Sequence, residues 1–201
     1  MPPRRARRRF ILLPIRRKPW TALAALLVLA ALIYADHRGW LLVPAGDDVS
    51  AYHQQSFLVS RVIDGDTIEL AAIDRLTGDV GVRVRLWGID CPEMGWQERP
   101  AEPWAWEATD FTQQLCEGEF VVLRLETHRL RDVYDRLLAH VIVDDGVNVS
   151  EAILRAGLAR VDERWRHELI HVYRRAERRA QQESAGLWSD APGSRTGVLT
   201  R

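Results

Sequence analysis

Three short segments carry side chains whose types and spacing suit work on a phosphodiester. They are Asp64-Gly65-Asp66-Thr67, then Arg85-Leu86-Trp87-Gly88-Ile89-Asp90-Cys91-Pro92-Glu93, then Asp132-Val133-Tyr134-Asp135-Arg136. Hydrolysis of such an ester builds negative charge on the phosphoryl and leaving oxygens. It therefore calls for cations aimed at those oxygens and a water held in line. Asp66 and Asp90 each end a strand or turn and could converge on one hard cation. Glu93 follows Pro92, whose ring fixes the backbone and helps aim a carboxylate. Arg85 and Arg136 offer planar forks that donate paired bonds to a phosphate and never lose their charge. Taken singly, each segment has a plainer reading. Asp-Gly-Asp-Thr is a hairpin turn, Arg83 and Arg85 are the wet face of a strand, and Arg136 is one charge in a charged loop. Only the set, in this order, amounts to a site.

The elements that must position these residues are legible from periodicity. Apolar and polar residues alternate from Phe57 to Leu70 around a turn at Asp64-Gly65, which reads as strand, turn, strand. Thr77-Gly78-Asp79 makes the next turn, and Val82, Val84 and Leu86 alternate with Arg83, Arg85 and Trp87. Pro103 opens a helix carrying Trp104, Ala108, Phe111 and Leu115 at helical spacing, and Gly118 ends it. Residues 120–125 and 137–143 read as two further strands. Asn148 with Glu151 caps a short helix that stops at Gly157. A long helix is expected from Glu163 to Ser184, with Trp165, Leu169, Val172, Tyr173, Ala176 and Ala180 as its inner stripe. Five strands interleaved with three helices make an α+β domain and suit a small closed barrel.

The three segments, with Asn148-Val149-Ser150-Glu151-Ala152, Arg155-Ala156-Gly157-Leu158-Ala159 and Gly186-Leu187-Trp188-Ser189, closely resemble the staphylococcal nuclease (thermonuclease-like) family over about residues 56–190. The resemblance implies a five-stranded OB-fold barrel with three helices, an architecture that commonly binds oligonucleotides. It implies a calcium site made by the carboxylates of Asp66 and Asp90 and the backbone carbonyl of the next residue. That residue is Cys91 here, where threonine is familiar. Calcium prefers oxygen to sulfur, so a ligand that is a backbone carbonyl tolerates the exchange. The resemblance further implies Arg85 and Arg136 on the scissile phosphate and Glu93 as the base that activates water. The reaction implied is cleavage of the phosphorus–5′-oxygen bond of DNA or RNA, leaving 3′-phosphate ends.

Several positions depart from the family's pattern. Asp135 stands where glycine is usual, either orienting Arg136 or partly neutralising it, and Val133 stands where a basic residue often meets phosphate. The run Asp162-Glu163-Arg164-Trp165 replaces a stretch that often holds a nucleotide-binding tyrosine. Tyr134 is a candidate stacking or phosphate contact, or else a half-buried aromatic. Of the tryptophans, Trp96 is the candidate for stacking on bases, whereas Trp104 fits a core stripe. His128, His140, His167 and His171 show no catalytic or zinc pattern; His167 and His171 are spaced as helix neighbours, with no third ligand evident. Arg174, Arg175, Arg178 and Arg179 read as a solvated helix face.

The chain has 201 residues and a formal charge of zero that conceals segregation. Eight of its 28 basic side chains lie in residues 1–35, which hold no acid, so residues 36–201 carry 20 basic against 28 acidic side chains, a net of −8. Such a domain lacks the basic surface of a broad nucleic-acid binder and points to a locally positive site. The basic leader (1–19) precedes an apolar run from Trp20 to Ala35, which reads as an uncleaved signal anchor, with a cleaved signal peptide as the alternative. The positive-inside rule then puts the catalytic domain on the outer side of the membrane, or secreted if the segment is cleaved. A linker (36–55), the barrel domain (56–190) and a loose tail (191–201) complete the organisation. Cys91 and Cys116 are too few for a disulfide scaffold or a metal cluster, and Cys116 reads as a small core residue.

The expectation is thus a membrane-anchored, calcium-dependent nuclease acting on DNA or RNA as a monomeric catalytic domain, with no protein partner implied. The rival from another class is an OB-fold module that holds oligonucleotides without cutting them, which the net charge of the domain favours. A scaffold that uses the barrel only for protein contacts has no positive feature behind it.

Overall fold

The computed structural model describes residues 47–95, 99–143 and 146–190. The basic leader, the apolar run 20–35, Trp96 and the tail 191–201 lie outside the described residues. Among the described residues, no helix is long and apolar enough to cross a membrane.

Five strands close into a barrel: β1 (Ser56–Asp64), β2 (Thr67–Ile73), β3 (Val80–Leu86), and, after a short β4 (Ile89–Asp90), β5 (Phe120–Arg124) and β6 (Leu137–Val143). Around the barrel they run β1-β2-β3-β6-β5, with β5 returning to β1. All neighbours are antiparallel except β3 and β6, which run parallel. This is the α+β barrel of OB-fold type. Alternation does the sorting: Val82, Val84 and Leu86 of β3 point inward and are buried, as are Ile68 and Leu70 of β2 and Val121 and Leu123 of β5. Each such side chain contributes about 1.5–3 kcal/mol through burial. The two-residue β4 pairs with β7 (Arg160–Val161) outside the barrel.

Helices close the remaining surfaces: α1 (Asp47–Tyr52), α2 (Ala105–Cys116), α3 (Val149–Arg155) and α4 (Ile170–Gln182). Helix α1 falls inside the stretch read as linker, and Tyr52 is buried there, its hydroxyl accepting the Arg75 N–H at 3.0 Å. Helix α3 begins as expected, with Asn148 Oδ1 accepting the Glu151 N–H at 3.0 Å. The last helix is shorter than its sequence suggests. Residues 163–169 are not helical, because Asp162 accepts both the backbone N–H and the guanidinium of Arg164 and holds the chain in a local turn. Trp165 therefore leaves the helix stripe, while Tyr173, Ala176 and Ala180 remain on it, buried. Gly157 and Gly186 lock the end of α3 to the segment after α4. Gly157 has φ +73°, and a Cβ there would lie 2.2 Å from the Ala185 carbonyl oxygen.

Candidate active site

Strand register brings the chemistry to one mouth of the barrel. Thr67 pairs with Arg85 across β2 and β3, and Arg85 pairs with Leu138 across β3 and β6. The turn before Thr67, the Arg85 side chain and the loop that ends at Arg136 are therefore neighbours. Helix α2 braces the turn: the Thr112 hydroxyl donates to the Gly65 carbonyl at 2.8 Å, and a Cβ on Gly65 would meet the Ala108 and Cys91 side chains at 2.9 and 2.8 Å. No residue larger than glycine fits that contact.

A cleft of about 590 Å³ opens at this mouth. Asp66, Arg85, Asp90, Glu93, Tyr134 and Arg136 all line it, together with Asp64, Asp132, Asp162 and Arg164. Cys91 lies beneath, buried, and its N–H donates to Asp66 Oδ2 at 2.8 Å. The residues assigned to phosphate, metal, water or base contact from the sequence, Trp96 aside, thus border this cavity or, for Cys91, lie beneath it.

The arginines are held by acids. Arg85 bridges Asp66 and Asp90: Nη1 forms an ion pair with Asp66 Oδ1, and Nη2 donates to Asp90 Oδ1 at 2.7 Å and to the Ile89 carbonyl at 3.1 Å. Asp66 Oδ1 also accepts the Thr67 hydroxyl at 3.2 Å. Arg136 donates through Nε to Asp132 Oδ2 at 2.7 Å and through Nη1 to Thr67 Oγ1 at 3.1 Å. The other oxygen of Asp132 accepts the backbone N–H of Tyr134 and of Arg136, at 2.9 and 3.0 Å. One carboxylate thus shapes the loop and aims the guanidinium. Glu93 is exposed on the cleft wall, its backbone tied to Glu102 through a carbonyl bond and a side-chain bond, both 3.0 Å.

Charge in the cleft is unbalanced, and the locally positive site expected from the domain's charge is not what the side chains form. Six carboxylates (Asp64, Asp66, Asp90, Glu93, Asp132, Asp162) face four arginines (Arg85, Arg129, Arg136, Arg164), an excess of two negative charges. Burial pushes the Asp64 carboxyl above the ordinary carboxylate range, against the pull of the Thr67 hydroxyl and of Arg85 and Arg136. Asp162 goes the other way, since its bonds to Arg164 outweigh its burial. A surplus of two negative charges on hard oxygen donors suits a hard divalent cation. Asp66 and Asp90, which line the cleft on either side of Arg85, are carboxylates that could hold such an ion.

The departures from the expected pattern now have physical readings. Asp135 has φ +61°, in the left-handed region that glycine enters freely and aspartate tolerates. Its carbonyl accepts Arg131 at 2.8 Å, and the carboxylate that orients Arg136 is Asp132. Tyr134 is 69% exposed, which rules out its half-buried reading, and the Arg136 guanidinium lies 5.5 Å from its ring centre. Val133 is exposed too. Where the tyrosine was missing, Arg164 enters the cleft on the rigid Asp162 turn, whose own N–H donates to the Gly88 carbonyl at 3.0 Å. Trp165 lines the same wall, with Arg129 stacked 3.8 Å from its ring centre. Cys91 and Cys116 are both buried and unpaired, as free thiols. Burial raises both thiols, Cys116 to about 12.

Asp132, Asp162 and Arg164 received no role from sequence. Asp132 has a signal in its i,i+4 spacing to Arg136, but Arg164 has none, because the helical periodicity around it is misleading.

A barrel mouth with carboxylates and arginines around one cleft is the site of a nuclease-type hydrolase. The family model described as "Staphylococcal nuclease homologue" matches residues 83–190. An "Uncharacterized endonuclease" of Escherichia coli is 37% identical over 133 residues, covering 66% of this chain and 76% of its own. A "Thermonuclease" of Staphylococcus intermedius is 36% identical over 137 residues (67% and 76%), and one of Staphylococcus hyicus is 30% identical over 143 residues (71% and 80%). This chain belongs to the staphylococcal nuclease homologue family.

Proposed function

We propose that the protein is a calcium-dependent nuclease that hydrolyses phosphodiester bonds of DNA, RNA or both and leaves 3′-phosphate ends. It acts on the outer side of the cytoplasmic membrane, to which residues 20–35 anchor it. The observation that carries the enzymatic reading is the shared cleft, in which Arg85 bridges Asp66 and Asp90 while Glu93 and the braced Arg136 line the same cavity.

Calcium, when bound by Asp66, Asp90 and the Cys91 carbonyl, supplies positive charge against the phosphoryl oxygens. The chain's own residues do the rest. Asp66 and Asp90 would hold such a cation, and Arg85, which lies between them, offers its planar fork to the scissile phosphate. Arg136, fixed by Asp132 and Thr67, meets that phosphate from the barrel side without reorganising. Glu93 takes a proton from a water aligned with the phosphorus. The new bond joins water oxygen to phosphorus, the bond to the 5′ oxygen breaks, that oxygen takes a proton from solvent, and Glu93 returns its proton to solvent. Calcium is abundant outside cells, which agrees with an exported domain. With net charge −8 over residues 36–201 and two more carboxylates than arginines in the cleft, the chain draws in a polyanion through Arg85, Arg136 and a bound cation rather than through a broadly positive surface.

The test is hydrolysis of single-stranded DNA and RNA by the full chain, with calcium and then with a chelator, followed by end-group analysis. Calcium-dependent cutting with 3′-phosphate ends is the expected result. Binding without cutting in calcium would overturn the proposal in favour of an oligonucleotide-holding module.

A further inference from the structure

Apart from the residues that line the cleft, Glu126, His140 and His167 come together, drawn from the loop after β5, from β6 and from the loop before α4. One donor atom from each lies within 4.8 Å of the others. Their spacing in sequence gives no hint of this. His140 is fully buried and His167 is 6% exposed.

Hydrogen bonding fixes how His140 presents itself. Asn148 Oδ1 accepts the Glu151 N–H, so it is an oxygen and also accepts the Tyr173 hydroxyl at 3.1 Å. With its proton so placed, the Tyr173 oxygen accepts from His140 Nδ1 at 2.8 Å. His140 thus carries its proton on Nδ1, and Nε2 faces Glu126 Oε1 at 3.3 Å. A bare nitrogen opposite a carboxylate, out of water, is unfavourable unless a cation stands between or beside them. A proton on Nε2 would settle that pair alone. It would leave His167, whose two ring nitrogens are both buried and have no hydrogen-bond partner among the described residues. Two unsatisfied ring nitrogens at that depth are costly. A single metal ion would engage the Glu126 carboxylate, His140 Nε2 and one of the two His167 nitrogens together.

We propose that Glu126, His140 and His167 form a second metal site, for a borderline divalent cation of the zinc class. Two imidazoles and one carboxylate are a common zinc donor set, whereas calcium takes oxygens. Two of the three proposed ligands have the outer contacts of such a site: Tyr173 on the distal nitrogen of His140, and the Glu168 N–H on Glu126 Oε1 at 2.9 Å. The site also reaches the active cleft. A Cβ on Gly88 would lie 2.5 Å from His167 Nε2, so the ring supports the loop that leads to Asp90. The metal ties that loop to the barrel and to the start of α4.

The experiment uses the untagged full chain, stripped with a chelator and then dialysed against Zn2+, with Co2+ as a spectroscopic substitute. The wild type is expected to retain about one Zn2+ per chain with imidazole nitrogen in its X-ray absorption spectrum, and to give the intense visible bands of a tetrahedral Co2+ site. His167→Asn and Glu126→Gln should each weaken binding by at least the roughly 10- to 100-fold that loss of an outer-shell partner costs. Asp66→Asn should leave it unchanged. No retained Zn2+, equal retention by His167→Asn, or loss through Asp66→Asn would each overturn the proposal. If both cluster variants fail to fold, the wild-type absorption spectrum decides by itself: imidazole ligation supports the site, and ligation by oxygen alone refutes it.

Discussion

Asp132→Asn separates the two tasks of one carboxylate. The amide retains an oxygen for the N–H groups of Tyr134 and Arg136, which Asp132 Oδ1 now accepts at 2.9 and 3.0 Å, so the loop keeps its shape. What is lost is the 2.7 Å bond from Arg136 Nε to Oδ2, because the amide NH2 is itself a donor. A bond of this kind, with both partners charged, contributes about 1.5–3 kcal/mol. If Arg136 acts only when so aimed, kcat/KM on single-stranded DNA falls roughly 10- to 100-fold, mostly in kcat. Asp135→Asn is the control, since it removes a charge beside Arg136 without touching the guanidinium bond, and it should stay within about twofold. Both variants are assayed as full chains in calcium after circular dichroism confirms the fold. Full activity in a folded Asp132→Asn would refute the reasoning.

Further outcomes follow from other contacts. Asp135→Gly relieves a left-handed residue at φ +61° and should raise Tm by about 2–4 °C, for roughly 1 kcal/mol, in a thermal melt. Gly157→Ala places a methyl 2.2 Å from the Ala185 carbonyl and should cost about 3 kcal/mol or more in urea unfolding. Asp74 is buried, but two bonds to Arg131 at 2.9 Å hold its carboxyl below the ordinary value despite that burial. A lowered folded value means that its stabilising effect is present above the unfolded value and lost as pH falls from there through the folded value. Stability should therefore drop below about pH 4, and Asp74→Asn should flatten that limb of the pH profile while lowering stability at pH 7.

Much of the barrel was legible because two-residue alternation reports burial directly: Val82, Val84 and Leu86 are where their pattern puts them. The cleft was legible for a different reason. Its residues sit at turns and strand ends, where Asp, Gly and Arg stand out against apolar runs. Sequence was less informative where a local side-chain bond overrides periodicity. Asp162 ends β7 and turns the chain at Arg164, so the expected helix starts seven residues late, at Ile170, and Trp165 goes to the cleft instead of the core. Helix α1 was hidden by its polar composition, with Tyr52 as its buried anchor. The Glu126–His140–His167 cluster was invisible because only the barrel's closure brings its members together.

The central claim is that this cleft cuts phosphodiesters through its own carboxylate and arginine, and Glu93→Gln in the full chain tests it most directly. Single-turnover cleavage of a labelled single-stranded oligonucleotide in calcium should slow by about 100-fold or more, within the range general-base removal produces, while oligonucleotide binding is retained. Cleavage at the wild-type rate by the folded variant would contradict the account.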